Sequence, residues 1–229
     1  MSYEESNNKA YIRGIVSVKP QFSHEVFGEG FYETEIKTPR LSKEEDKIPI
    51  TISERLLAEH PLNVGDEVTF YGQFRSYNKM VGKKSKLILT LFVREILEND
   101  FDKKPNQIFL SGYVCKPSIY RTTPFNREIA DVLIAVNRSY NKSDYIPCIA
   151  WGRNARFCRG FEVGEKVAIE GRIQSREYVK KIDESLQEQK TAFEISISKI
   201  STGSNVLRLE EEAEFLFPSL ELKYSEEQE

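Results

Sequence analysis

The chain has 229 residues, of which 39% are hydrophobic and 30% charged, and its formal net charge is −3. This composition excludes a disordered chain, and the length favours two domains at the usual roughly 100–200 residues each. The longest apolar run, Val132–Val136, is too short to span a bilayer, and the first residues lack the apolar segment of a secretory signal. We therefore expect a cytoplasmic protein with no membrane partner.

Three cysteines and two histidines are the residues that bear on redox and metal chemistry. Cys115, Cys148 and Cys158 are odd in number and form no Cys-x-x-Cys pair, which predicts reduced thiols rather than a disulfide framework. His24 and His60 lie far from them in sequence, so we expect no metal site and no cofactor. With so few histidines and no phosphate-binding glycine loop, we expect no enzymatic activity.

The first hundred residues alternate short apolar segments with turn residues, which predicts a sheet with one solvated face. Gly14 falls in the middle of the first segment, where tight bending or a close backbone approach is expected. Ser53 is typical of a helix N-cap, and Pro61 is typical of the residues beyond a helix end. The pattern predicts one short helix between these two residues and strands at Tyr11–Lys19, Phe31–Thr38, Lys47–Ile52, Glu67–Tyr77 and Leu87–Leu97.

The second half of the chain repeats the first. At an offset of 98 residues, Asn8 and Gly14 correspond to Asn106 and Gly112. Further matches, at this offset or one residue more, pair Arg40 with Arg138, Val64-Gly65 with Val163-Gly164, Gly72 with Gly171, and Ser76 with Ser175. The repeat predicts a helix at Asn154–Phe161 with Asn154 as its cap, and strands at Ile108–Lys116, Ile129–Asn137, Tyr145–Trp151, Lys166–Val179 and Ala192–Ile200.

Five short strands with a helix between the third and the fourth is the order of the OB-fold barrel. We therefore expect an all-β protein of two tandem OB-fold five-stranded barrels, each with one short helix between strands three and four. The expected domains are residues 8–98 and 106–201, followed by an acidic C-terminal tail at 205–229 that holds eight acidic and two basic residues.

The second repeat carries motifs beyond its strand pattern. They are Asn106-x-Ile-x-Leu-x-Gly112 in its first strand, Ala135-Val-Asn-Arg138 at the end of its second, Ile149-Ala-Trp151-Gly-Arg in its third, and Val163-Gly-Glu-Lys-Val…Gly171-Arg…Tyr178 in its fourth. On these residues it resembles the bacterial single-stranded DNA-binding protein family over nearly its whole length, whereas the first repeat is divergent. The resemblance implies binding of single-stranded DNA without strong sequence preference, during replication, repair or recombination.

The resemblance also implies which side chains contact the strand. The family stacks bases on aromatic side chains, and every base has a face that can stack. Four aromatic residues align with those positions here: Tyr140, Tyr145, Trp151 and Tyr178. Four arginines near them in sequence are expected to contact phosphates or stack on bases: Arg121, Arg138, Arg153 and Arg176. The alternative for each is an ordinary half-buried strand residue or a solvated charge.

The first repeat has Ser42, Lys47 and Ile52 or Ser53 at the aligned positions, so it lacks these aromatic platforms. Its fourth strand keeps Tyr77, and the loop that follows carries four lysines and no acidic residue: Lys79, Lys83, Lys84 and Lys86. We expect the first barrel mainly to build the assembly and to attract phosphates through this loop. A solvated basic hairpin is an equal alternative.

The resemblance implies an assembly and further partners. Family members commonly work with four barrels, so a chain with two suggests a homodimer. Many end in an acidic segment that recruits replication and repair proteins. In this chain the candidate partner-binding residues are Phe215, Leu216 and Phe217, and the alternative for this segment is a helix or strand packed on the body.

Two other functions stay open at this point. One is an OB-fold scaffold of a primosome or recombination complex with weak DNA binding, which the missing platforms of the first repeat favour. The other is a single-stranded RNA binder, because stacking platforms do not distinguish the sugars and no residue indicates a contact to a 2′-hydroxyl.

Overall fold

The computed structural model describes residues 7–40, 42, 44–82, 84–181 and 187–217, with no description of the side chains at positions 81, 84, 180, 181 and 187. These residues are mostly β, as the sequence predicts. The elements are β1 (Asn8–Val26), β2 (Glu29–Pro39), β3 (Glu45–Ser53), α1 (Glu54–Glu59), β4 (Glu67–Val81), β5 (Lys84–Leu97), β6 (Asn106–Val114), β7 (Ile119–Thr122), β8 (Glu128–Arg138), β9 (Lys142–Trp151), α2 (Arg153–Cys158), β10 (Lys166–Lys181), β11 (Gln187–Thr202) and α3 (Asn205–Leu216).

The strands close into two barrels of the same topology. The first has the order β1-β2-β3-β5-β4 and closes by pairing of β4 with β1. The second has the order β6-β8-β9-β11-β10 and closes by pairing of β10 with β6, with β7 added outside β8. In both barrels the third and fifth strands are parallel and all other neighbours are antiparallel. The prediction of two tandem OB-fold barrels is confirmed, and β7 is an addition that the sequence pattern does not predict.

The repeated glycines allow the barrels to close. A Cβ atom on Gly14 would overlap the carbonyl oxygen of Lys37, and one on Gly112 would overlap that of Ala135. These are contacts between the first and second strands of each barrel, where the backbones approach most closely. The predicted close backbone approach at Gly14 is therefore confirmed.

The two barrels join along their first strands. β1 and β6 run antiparallel, with Ala10 opposite Ile108, Asn8 opposite Leu110 and Ile12 opposite Asn106. Because Asn106 and Leu110 repeat Asn8 and Ile12, this register relates the barrels by a local two-fold axis near Ala10. The interior of the barrels is apolar, and the side chains of Ile12, Phe74, Ile108 and Ile173 are among those fully buried.

Two local predictions are wrong. The second helix spans Arg153–Cys158 rather than Asn154–Phe161, and its N-cap is Gly152, which has a φ of 53° and makes no side-chain cap. Asn154 instead donates a hydrogen bond from Nδ2 to the Ser198 carbonyl at 3.1 Å. At the corresponding place in the first barrel the prediction is confirmed, because Ser53 Oγ accepts a hydrogen bond from the Leu56 N–H at 3.4 Å.

The segment after β11 begins with a packed helix. The side chains of α3 that face the body join Tyr11, Phe109 and Ala168 in a second apolar cluster; they are Val206, Leu209, Ala213 and Phe217. This helix lies over the outer face of the strands that join the barrels. Residues 218–229 of the predicted tail lie outside the described residues. Within the described part of the chain, each helix is too short or too polar to cross a membrane.

Candidate nucleic-acid interface

Alternation along β9 separates the aromatic candidates from the core. Ile146 and Cys148 point into the second barrel and are buried. Tyr145 and Trp151 therefore share the outer face, where they are 47% and 39% exposed.

Trp151 lines a groove that both barrels build. Arg172 and Arg176 reach it from β10, while Arg40 and Lys47 reach it from the first barrel. The volume is about 650 Å³, and acidic side chains (Glu44, Glu45 and Glu177) also line it. We call it the composite groove, defined by Arg40, Lys47, Trp151, Arg172 and Arg176.

A buried carboxylate holds the two barrels together beneath the composite groove. Asp46 accepts hydrogen bonds from Arg40 and Arg172, both at 2.5 Å, and from the Ser175 N–H at 2.8 Å. The backbone N–H of Lys47 donates to Ser175 Oγ at 3.0 Å. The hydrogen bond and charge of Asp46 outweigh burial and raise the pKa of Arg40. Arg40 and Arg172 are thus held in place by hydrogen bonds to Asp46 that connect the two barrels.

The local two-fold axis repeats this junction on the other side. Asp144, at the position of Asp46, accepts a hydrogen bond from the Ser76 N–H at 2.6 Å, and Tyr145 donates its N–H to Ser76 Oγ at 2.7 Å. The second oxygen of Asp144 lies 3.5 Å from Arg138 Nε without a hydrogen bond. Burial raises the pKa of Asp144, although the Ser76 N–H and the charges of Arg138 and Arg75 act against it.

The remaining second-barrel candidates occupy several different places. Tyr178 lies on β10 beside the composite groove, with the Arg176 guanidinium 5.8 Å from its ring centroid. Tyr140 lies in the turn between β8 and β9, where it has a φ of 58° and is 93% exposed. Arg121, on β7, forms an ion pair with Asp131 at 2.6 Å. Arg153, on α2, lines another groove. Trp151 and Arg176 therefore line the same groove and Tyr178 lies next to Arg176, whereas Arg138 belongs to the junction between the barrels.

Three comparisons with known proteins bear on this site. The family model described as the single-strand binding protein family matches residues 105–202. The single-stranded DNA-binding protein B of Bacillus subtilis is 34% identical over 83 residues, which cover 32% of this chain and 71% of that protein. The chain belongs to the single-strand binding protein family.

Other relatives are matched over about half their length. Single-stranded DNA-binding protein 3 of Streptococcus agalactiae is 35% identical over 80 residues, which cover 32% of this chain and 58% of the relative. Protein 1 of Staphylococcus aureus is 32% identical over 80 residues, again 32% of this chain but 48% of the relative. The crystal structure of the wild-type single-stranded DNA binding protein from Thermus aquaticus has a TM-score of 0.65 and 14% identity, and the match covers 86% of this chain and 93% of that chain. At that identity the similarity shows the fold alone.

Family membership confirms the resemblance read from the second repeat, and it agrees with the expectation of a binding protein rather than an enzyme. The sequence reasoning missed Arg40, Lys47 and Arg172 as residues of the groove. The repetition of Ser76 and Arg40 as Ser175 and Arg138 marks these positions in the sequence. The repetition does not show that each serine contacts the opposite barrel.

The first barrel of this family member has aromatic residues of its own, outside the aligned positions. Phe92 packs 5.6 Å from Phe31, and the guanidinium groups of Arg75 and Arg94 lie 4.8 and 5.3 Å from its ring. Tyr77 lies on β4 of the same barrel, and burial and then the charge of Glu33 raise its pKa.

The sequence predicts phosphate contacts for the four lysines that follow Tyr77. Lys79 and Lys86 pair across the β4–β5 hairpin with exposed side chains, Lys84 begins β5, and Lys83 lies outside the described residues.

The three partner-binding candidates are not equivalent. Phe217 is 2% exposed and packs in the cluster beneath α3, whereas Phe215 is 90% exposed and Leu216 is partly exposed. Of these three candidates, Phe215 and Leu216 are the ones whose apolar surface is exposed to solvent.

Proposed function

We propose that this chain binds single-stranded DNA without strong base preference and protects it during replication, repair or recombination. The observation that carries the proposal is the composite groove, in which an exposed tryptophan lies among four cationic side chains from two barrels. Relatives in the same family carry names that state single-stranded DNA binding.

The physical basis is a combination of stacking and charge. A base stacked on Trp151 or Tyr178 is held whatever its identity, at about 1–3 kcal/mol per base. The four cations of the composite groove line the path of the strand and can contact its phosphates, although Lys47 and Arg176 also pair with Glu177 and Glu194 at 3.4 and 3.5 Å. Because these contacts release counterions from the DNA, binding becomes weaker at high salt. The bases of a duplex are stacked on one another and cannot stack on a side chain, so a duplex gains only the electrostatic attraction of its phosphates.

The test uses Trp151, the single tryptophan of the chain, as a reporter. Titration with oligo-dT should quench its fluorescence, and the logarithm of the binding constant should fall with the logarithm of salt with a slope of about 3, since four cations each contribute roughly 0.7. Duplex DNA should quench weakly. No quenching, together with no mobility shift of oligo-dT, would refute the proposal.

Matched substitutions separate the composite groove from general surface effects. Trp151→Ala should weaken oligo-dT binding by about 5- to 150-fold, which is the stacking energy expressed as a ratio, whereas Trp151→Phe should retain most of the affinity. Phe125→Ala removes an exposed aromatic residue in the turn before β8 and serves as the control. Lys47→Ala should lower the salt slope by about 0.7.

The scaffold function is the second candidate, because the first barrel lacks aromatic residues at the aligned positions and Phe215 is exposed. It predicts weak, salt-labile DNA binding without quenching of Trp151, and binding to a protein partner that Phe215→Ala abolishes. Oligo-U in the same titration tests the RNA alternative, since equal quenching by oligo-U and oligo-dT would favour a binder of either sugar.

We also propose a homodimer that supplies four barrels, which sedimentation of the full chain tests. A monomer at micromolar concentration would refute it.

We also propose a cytoplasmic location. The free Cys115, Cys148 and Cys158 support it because such thiols are typical of a reducing compartment.

A further inference from the structure

A second groove lies between α2, β11 and α3. Its volume is about 720 Å³, and the residues that define it here are Arg153 and Phe157 of α2, Ser198 and Lys199 of β11, and Arg208 of α3. We call it the helix groove. Neither the motifs of the second repeat nor the family match assigns a role to Phe157, Lys199 or Arg208.

The helix groove continues the composite groove along β11. Ser196 lines the composite groove and Ser198, the extra residue of a bulge opposite Glu170, lines the helix groove. Trp151 of the composite groove and Arg153 of the helix groove are separated in sequence only by Gly152. The stretch of β11 from Ser196 to Thr202 adds up to about 20 Å to the path, at roughly 3.3 Å per residue.

The chemistry of the helix groove suits the same kind of ligand. Phe157 is half exposed and is held edge-on by Phe161, with 5.4 Å between the ring centroids. Arg208 is 79% exposed although its Nε pairs with Glu212 at 3.1 Å, and Arg153 is exposed, so both guanidinium groups can be reached by phosphates. An aromatic ring flanked by arginines repeats the arrangement around Trp151.

One cation of the helix groove has a structural role. Lys199 pairs with Glu170 at 3.2 Å and with Glu212 at 3.3 Å. Burial alone would lower its pKa, but the hydrogen bonds and charges of these two carboxylates raise it. Lys199 therefore fixes α3 to β11. Arg208 shares Glu212 with Lys199 but pairs through Nε alone, so its terminal nitrogens and the guanidinium of Arg153 are the candidate phosphate contacts.

We infer that single-stranded DNA bound at Trp151 continues through the helix groove, with a base against Phe157 and phosphates at Arg153 and Arg208. This inference rests on the proposed function. It gives α3 a role in strand binding, in addition to its packing over the strands that join the barrels.

The test compares oligo-dT of about 8 and about 20 nucleotides, lengths chosen within and beyond the roughly 4–16 that one barrel covers. In Arg153→Ala/Arg208→Ala, the long oligonucleotide should bind about tenfold more weakly at low salt, with a salt slope lower by about 1.4. The short one should bind as to the wild type. Arg55→Ala is the control, because Arg55 lies in the first turn of α1 as Arg153 does in the first turn of α2, and α3 packs on strands of the second barrel.

A fluorescent reporter gives a second readout. In Trp151→Phe/Phe157→Trp, the long oligonucleotide should quench the new tryptophan and the short one should not. Normal quenching of the wild type, together with an unchanged salt slope of the double arginine variant for the long oligonucleotide, would overturn this inference and leave the proposed function intact. Absence of both quenching and a mobility shift of the wild type at both lengths would overturn both.

Discussion

Asp46 and Asp144 occupy equivalent positions in the two barrels, yet we predict opposite effects of the same substitution. Asp46→Asn removes the charge that faces Arg40 and Arg172. The asparagine oxygen still accepts from the Ser175 N–H, but its amide group cannot accept the hydrogen bond that the second carboxylate oxygen received. One arginine is left without its acceptor in a closed part of the interface.

The magnitude follows from how much water can reach the arginines. Removing one partner of a buried ion pair costs about 3–5 kcal/mol when the other charge stays dry. The side chains of Arg40 and Arg172 are 20% and 36% exposed, so hydration recovers part of that cost. We expect Asp46→Asn to lower the free energy of unfolding by about 2–3 kcal/mol. For a chain of this size that corresponds to a melting temperature lower by roughly 4–12 °C.

Asp144→Asn should stabilise the protein at neutral pH. Burial raises the pKa of Asp144 above its ordinary value of 3.8, so folding favours the neutral acid, and the carboxylate costs stability once the pH exceeds the raised value. The asparagine keeps the acceptor for the Ser76 N–H and does not ionise. Its advantage over the wild type should disappear as the pH falls through the raised pKa towards 3.8.

Urea denaturation followed by circular dichroism, at several pH values, measures both effects. The Arg55→Ala variant controls for loss of an ordinary surface ion pair and should change the midpoint little. Equal destabilisation by Asp46→Asn and Asp144→Asn at neutral pH, with no convergence of Asp144→Asn and wild type in acid, would refute this reasoning.

Three further predictions concern packing and the thiols. Burial raises the pKa of Cys158 to about 12 and that of Cys148 well above its ordinary value, so iodoacetamide at pH 8 should leave both unmodified in the folded protein and alkylate all three cysteines in urea, as mass spectrometry would show. Gly72→Ala should destabilise the protein by about 1–3 kcal/mol or more, because its Cβ would overlap the Phe92 carbonyl, whereas Gly160→Ala, which meets only an ordinary contact, should not; equal melting curves would contradict this. Phe217→Ala should cost about 3–5 kcal/mol and Phe215→Ala almost nothing in thermal melts, and the reverse order would show that α3 does not pack as described.

The fold could be predicted because the same pattern of strands and glycines occurs twice in the chain. Repetition of Gly14 at Gly112 and of Gly72 at Gly171 marks backbone positions where a side chain cannot fit. Each copy confirms the strand order of the other, so errors at strand ends do not alter the topology. The wrong cap at Asn154 is an error of this local kind, since Gly152 provides the positive φ with which the chain enters α2.

The composite groove could be predicted only in part. The resemblance of the second repeat to the family indicates Trp151, but Arg40 and Lys47 come from the other barrel and approach the groove only when the barrels pair. Pairing depends on tertiary contacts such as that between Ser175 and Asp46, which are 129 residues apart in the chain. The sequence does not decide between packing and partner binding for α3, because its apolar residues suit either role.

The paired barrels connect stability with binding in this protein. Asp46 orients Arg40 and Arg172, and both arginines line the groove beside Trp151. A substitution at Asp46 therefore changes the position of two groove cations without removing either. We expect Asp46→Asn to weaken oligo-dT binding while the salt slope stays near the wild-type value, because the number of cations is unchanged. Asp144→Asn, at the equivalent site away from the groove, should leave the affinity at its wild-type level. If both variants bound oligo-dT as the wild type does, the hydrogen bonds of Asp46 would not position any groove cation that matters for binding.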